Sequence, residues 1–166
     1  MDFYLLRNAK AAKDGKANDD NDDDRPLTKK GERKIIRVAE AMRDLELKFD
    51  AIITSPLLRA THSAEVVARS FRMKDSVHHS SHLAPHGNPA LLVNEINAKH
   101  GDTSGLLLVG HEPSLGALIS ILLVGDNSLQ MIFKRGGLCK LSVENLCYGK
   151  CASLCWLMAP SQLKRM

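Results

Sequence analysis

Three short segments carry side chains suited to holding an oxyanion. They read Leu6-Arg7-Asn8-Ala9, Thr54-Ser55-Pro56-Leu57-Leu58-Arg59 and Val109-Gly110-His111-Glu112-Pro113. Each contains or follows an apolar run of strand length. Arg7 and Arg59 each offer a planar fork of N–H donors that matches the oxygens of a phosphoryl group. His111 adds a donor, and a dianion beside it favours the protonated ring. Arg25, just before Pro26-Leu27-Thr28, brings a third arginine in from a loop. One arginine alone is most simply a surface ion-pair partner. Three arginines and a histidine at one rim are better explained by a bound anion.

Such convergence needs a scaffold of alternating strands and helices. Phe3-Tyr4-Leu5-Leu6 reads as a buried strand, followed by a polar loop rich in Asp, Asn, Lys and Gly. Thr28 is a suitable N-cap for a helix in which Ile35, Val38, Ala39, Met42 and Leu45 recur at helical spacing. Ala51-Ile52-Ile53 is a second strand. Ser55-Pro56 opens a second helix with Pro56 at its first position, and Leu57, Ala60, Ala64, Val67 and Phe71 form its buried face. A weak strand covers Ser76–His79, and Asn88-Pro89 starts a helix reaching about His100. Leu106–Val109 is the most apolar strand and therefore central, and Glu112-Pro113 opens a helix through Leu123. Met131–Phe133, Leu138–Val143 and Ala152–Met158 read as closing strands, with turns at Gly136-Gly137 and Tyr148-Gly149.

The pattern predicts an α/β three-layer sandwich over residues 1–166 as one domain. Its central sheet is mostly parallel with antiparallel edge strands, and helices cover both faces. Ligands of such sheets bind outside the carboxyl ends of the strands, which points all three segments at one rim. Arg59 then lies near a helix N-terminus, where free N–H groups and the dipole favour anions.

Composition narrows the partners. The 23 Lys and Arg against 19 Asp and Glu leave a formal charge of +4. That excess is too small, and too poorly interleaved with aromatics, to predict nucleic acid binding. No signal peptide or membrane-spanning run is visible, so the expected location is the cytoplasm, with no membrane partner. The cysteines at 139, 147, 151 and 155 are expected to be thiols there, and their spacing is not that of an iron–sulfur site. The histidines at 78, 79, 82 and 86 have no cysteine or carboxylate close by in sequence, so no metal is expected. The acidic run Asp19–Asp24 lacks the central Gly and closing Glu of a calcium loop.

Four segments, in order, carry a family resemblance. Tyr4-Leu5-Leu6-Arg7-Asn8-Ala9 resembles the opening strand and Arg-His-Gly/Ala motif of the histidine phosphatase superfamily. Arg25-Pro26-Leu27-Thr28-Lys29-Lys30-Gly31, Ser55-Pro56-Leu57-Leu58-Arg59-Ala60 and Val109-Gly110-His111-Glu112-Pro113 resemble three further motifs of that family. The short chain and its closing Trp156-Leu157-Met158-Ala159-Pro160 are similar to the SixA-type phosphohistidine phosphatases, which lack a helical lid. The resemblance implies that Arg7, Arg59 and His111 hold phosphoryl oxygens, joined by Arg25 in the SixA-type branch. It implies no cofactor. It also implies that position 8 carries the histidine that attacks phosphorus and is transiently phosphorylated.

Here Asn8 stands at that position. A carboxamide nitrogen shares its lone pair with the carbonyl, so it is a very poor nucleophile, whereas neutral imidazole has a free lone pair. Asn8 is also shorter, though it can still donate to a bound anion. Phosphoryl binding is thus expected to survive while turnover fails. An introduced exchange that silences the enzyme or traps its substrate fits, as does a naturally binding-only relative. The region Ser81–Gly87, where many family members place a general acid, has no carboxylate. An alkoxide leaves badly without a proton donor, but imidazole leaves well. The expected substrate is therefore a phosphohistidine-bearing phosphotransfer domain in signal transduction, with His82 or Glu112 as rim residues or proton-donor candidates. The alternatives are a catalytically dead phospho-binding adaptor and a phosphatase of small phosphorylated metabolites.

Overall fold

A computed structural model describes residues 1–13 and 24–164. Its elements run β1 (Asp2–Arg7), α1 (Lys29–Asp44), β2 (Ala51–Thr54), α2 (Leu58–Phe71), β3 (Val77–His79), α3 (Pro89–His100), β4 (Gly105–Gly110), α4 (Ser114–Val124), β5 (Leu138–Val143), β6 (Ala152–Met158) and α5 (Pro160–Leu163). The strands form one sheet in the order β3-β2-β4-β1-β5-β6. The first four are mutually parallel, and β5 and β6 close one edge in antiparallel pairing. This is the predicted α/β sandwich.

The side-chain period of two divides each inner strand between two cores. Tyr4, Leu6, Ile52, Leu107 and Val109 pack with Ile35, Val38 and Met42 of α1 and Ala64 and Val67 of α2. Phe3, Leu5, Ile53, Leu106 and Leu108 pack on the other face with Leu92 and Ile96 of α3 and Leu118 and Leu122 of α4. With both faces covered, β4 is a continuous apolar run in which every residue is buried. Truncating Leu107, fully buried on this central strand, is expected to cost about 2–5 kcal/mol in chemical denaturation. A loss under 1 kcal/mol would contradict its place in the core.

Several boundaries differ from the sequence reading. α2 begins at Leu58 because Leu57 is extended (φ −64°, ψ 135°) and serves as the N-cap. Pro56 therefore sits in the turn before the helix, and Arg59 is its second residue. β3 starts at Val77 after a short 3₁₀ turn over Lys74–Ser76. Met131–Phe133 is not a strand. Its burial alternates because Phe133 plugs the α3–α4 core while Ile132 is exposed, which mimics a half-buried strand without a partner ladder. α5, unforeseen in the sequence, starts at Pro160 and buries Leu163 against the α1 core. Residues Asp19–Asp23 of the acidic run and most of the first loop lie outside the described residues.

The first loop is tied back at its two described ends. Ala11 and Leu27 form an antiparallel bridge, Ala12 N–H donates to Pro26 O at 2.8 Å, and Thr28 N–H donates to Lys10 O at 3.1 Å. Thr28 also caps α1, accepting Gly31 N–H at 2.9 Å. Gly31 permits this closeness, since a Cβ there would lie 2.7 Å from Lys10 O. Gly31→Ala is therefore expected to destabilise the protein by about 1–3 kcal/mol although alanine is the better helix former. A rise in the thermal midpoint would show that the two segments separate freely.

Candidate oxyanion site

The parallel register brings the three segments together. Arg7 pairs with Gly110 and Thr54 with Val109, so Asn8, Ser55 and His111 each follow the end of a neighbouring strand. Asn8 N–H donates to Gly110 O at 2.9 Å and Ser55 N–H to Val109 O at 3.0 Å, extending the ladder past the strands. The alternation of side chains carries Asn8 and His111 to the α1–α2 face, where they meet.

A cavity of about 210 Å³ opens at this rim. Arg7, Asn8, Arg25, Arg59, His111 and Glu112 all line it. Arg59 is 8% exposed and enters from the first turn of α2. The bridge between the 10–12 and 26–28 segments returns Arg25 to the same wall. His82 is not among the lining residues. It borders an adjoining cavity with Pro113 and Ser114, beyond the start of α4.

The site also contains groups that local sequence signals left unassigned. Lys10 and Lys13 line the cavity from the first loop, and Arg135 lines it from the segment before β5. That segment docks through backbone. Arg7 Nη1 donates to Phe133 O at 2.6 Å, and Gly136 N–H donates to Arg7 O at 2.9 Å. Gly136 has φ 74°, a conformation that glycine adopts at little cost. In the sequence, the Lys134-Arg135 pair beside the Gly136-Gly137 turn fits either a pocket wall or an exposed turn; in the structure Arg135 lines the cavity.

Burial pushes the Arg7 guanidinium below its ordinary pKa, Glu112 opposes that fall, and Arg135 adds to it. Arginine nonetheless stays charged. Glu112 is braced by Gly116 N–H, which donates to its Oε1 at 2.6 Å. A carboxylate thus stands among cations, where it offsets their repulsion.

Asn8 and His111 are both buried and joined to Ser55. His111 Nδ1 lies 2.7 Å from Asn8 Oδ1, and His111 Nε2 lies 2.7 Å from Ser55 Oγ. Asn8 Nδ2 donates one of its two hydrogens to Ala9 O at 2.8 Å. Both ring nitrogens of His111 are likewise engaged. Chemically, the site can hold a phosphoryl-sized anion among guanidinium groups but presents no free nitrogen lone pair to phosphorus. Among the described residues, no group of three or more His, Cys, Asp or Glu side chains could hold a metal. Among the described residues, no helix is long and apolar enough to cross a membrane.

Known proteins share this chain's sequence features and fold. A family model described as histidine phosphatase superfamily (branch 1) matches residues 3–84. An uncharacterized protein of Picosynechococcus is 33% identical over 139 residues, covering 83% of this chain and 82% of the relative. Phosphohistidine phosphatase SixA of Escherichia coli is 24% identical over 165 residues, covering 99% of this chain and 97% of SixA. The structure of the protein histidine phosphatase SixA complexed with tungstate superposes with a TM-score of 0.83 at 22% identity, covering 99% of this chain and all of that one. The α-ribazole phosphatase of Shigella flexneri superposes with a TM-score of 0.72 at 17% identity, covering 96% and 97%.

Proposed function

This chain belongs to the histidine phosphatase superfamily, and we propose that it recognises phosphohistidine on a partner protein without hydrolysing it. The observation that carries the reading is the cavity itself. Arg7, Arg25 and Arg59 line it together, while the nucleophile's position holds a carboxamide bonded to His111 and Ala9. Phosphoryl transfer depends on positioning and charge stabilisation, and those elements are in place. With histidine at position 8, the same arginines would steady the phosphoryl group during attack and during release by water. With asparagine, binding stops at the first complex.

A protein substrate follows from the leaving group. Among the described residues, segment Ser81–Gly87 lends no acid to the cavity, and the carboxylate that lines it, Glu112, accepts from Gly116. Imidazole needs less help to depart than an alkoxide does. A phosphotransfer domain in the cytoplasm is the partner that supplies such a group. The four cysteines are free thiols, in keeping with that compartment.

Calorimetry tests the reading directly. The phosphorylated phosphotransfer domain is expected to bind, with tungstate competing, and the unphosphorylated domain to bind at least about tenfold more weakly. Equal affinity for the two forms, or no competition by tungstate, would place the partner surface elsewhere. Tighter binding of a small phosphorylated metabolite would favour the metabolite reading that the α-ribazole phosphatase fold allows. The cation-lined cavity also predicts that tungstate affinity falls as salt is raised through the physiological range. A salt-independent affinity would argue against charge as the main attraction.

A further inference from the structure

The segment between α4 and β5 starts at one cavity and ends at another. Asn127 lines the cavity that His82 borders, and Arg135 lines the oxyanion cavity. Between them the backbone is anchored on both sides of Ile132. Leu129 N–H donates to Ser120 Oγ at 2.9 Å. Phe133 is buried in the α3–α4 core, and its carbonyl accepts Arg7 Nη1 at 2.6 Å. Gly136 N–H donates to Arg7 O at 2.9 Å. Phe133 fills the core, and Ile132 beside it stands in water, 82% exposed. No other large apolar side chain among the described residues exceeds 55%. An exposed isoleucine by itself is ordinary. This one is mounted on backbone tied to a cavity-lining arginine.

We propose that Ile132 is an apolar anchor for the phosphorylated partner protein, covered by the partner's surface while the phosphoryl group occupies the cavity. The inference rests on the phosphoprotein reading above and adds the chemistry of the partner, an apolar patch flanking its phosphohistidine. Ile132 Cα is one peptide unit, about 3.8 Å, from that of Phe133, whose carbonyl touches Arg7. A small anion is held within the cavity and meets no residue on this span. A protein whose phosphohistidine enters the cavity lays its surrounding surface on the rim. Lys134 and Arg135 are exposed on the same segment, and Lys10 and Lys13 line the cavity's first-loop side. These cations favour an acidic surround on the partner and oppose a second copy of this chain, which would set like charges against each other. Ile132 adds an apolar contact that salt does not screen.

Calorimetry on the full chain separates the anchor from the cavity, with two probes: inorganic tungstate and a phosphorylated histidine phosphotransfer domain. Ile132→Ser is expected to weaken binding of the phosphorylated domain about tenfold or more. It should leave tungstate affinity within about twofold of native and the thermal midpoint in place, since the side chain is already in water. Ile132→Leu is expected to recover affinity for the domain. Leu154→Ser is the control. Leu154 is 51% exposed on β6 and pairs with Leu141, which pairs with Phe3, toward the end of the sheet away from Arg7. It should change neither affinity. Equal affinity of native and Ile132→Ser chains for the phosphorylated domain overturns the proposal. So does a parallel loss of tungstate binding, or an equal loss in Leu154→Ser. A native dimer in sedimentation that Ile132→Ser converts to monomer assigns the residue to a second copy and also overturns it. A native chain that binds tungstate but not the phosphorylated domain removes the phosphoprotein reading itself, and the anchor with it.

Discussion

Asn8→His is expected to raise hydrolysis of a phosphohistidine-bearing protein by roughly 10⁴-fold or more, from a rate near background. The size of the change follows from how completely the native cavity lacks a nucleophile. The Asn8 nitrogen is an amide committed to Ala9 O, and His111 has one ring nitrogen against Asn8 and the other against Ser55. An imidazole at position 8 reaches further than a carboxamide and offers an in-plane lone pair, while Arg7 and Arg59 remain to stabilise the charge that develops on phosphorus. Release of labelled phosphate, together with an acid-labile label retained on the protein, measures both half-reactions. The same variant should act on phosphohistidine far faster than on alkyl phosphates, since segment Ser81–Gly87 lends the cavity no acid to protonate an alkoxide. Comparable rates on both would remove the leaving-group reasoning. Tungstate binding without any turnover would identify the chain as a binding protein whose remaining machinery is no longer catalytic.

The second large effect concerns Arg59. Arg59→Ala is expected to weaken tungstate binding by about 30- to 200-fold, the loss of roughly 2–3 kcal/mol from a charge-assisted contact. Arg59 is the most enclosed of the three arginines, entering from the first turn of α2. Arg59→Lys retains charge but not the planar fork, so it should recover only part of the affinity. An unchanged dissociation constant for Arg59→Ala would mean that tungstate binds away from this rim. A full recovery by lysine would mean that charge alone, without geometry, accounts for capture.

Both results depend on features of different origin. The composition of the candidate anion site was visible in the linear chain: Arg7, Arg25, Arg59 and His111 each follow a recognisable local signal, and each lines the cavity. Their segments could be read because strand ends and helix starts are governed by near-neighbour chemistry, such as the Thr28 cap or the unbroken apolar run of β4. The exclusion of a nucleophile at Asn8 is likewise a matter of functional-group chemistry and needs no coordinates.

What the chain alone determined, then, was the alternation of elements, the identity of the candidate anion-binding side chains and the presence of asparagine at position 8. Tertiary structure alone decided which groups touch. Arg135 and the Phe133 carbonyl reach Arg7 from 126 and more residues away, His82 falls beside a neighbouring cavity, and Ser55 meets His111 across 56 positions. Helix and strand periods are properties of consecutive residues. Contacts between strand ends depend on sheet order and register, which arise from the packing of both cores at once.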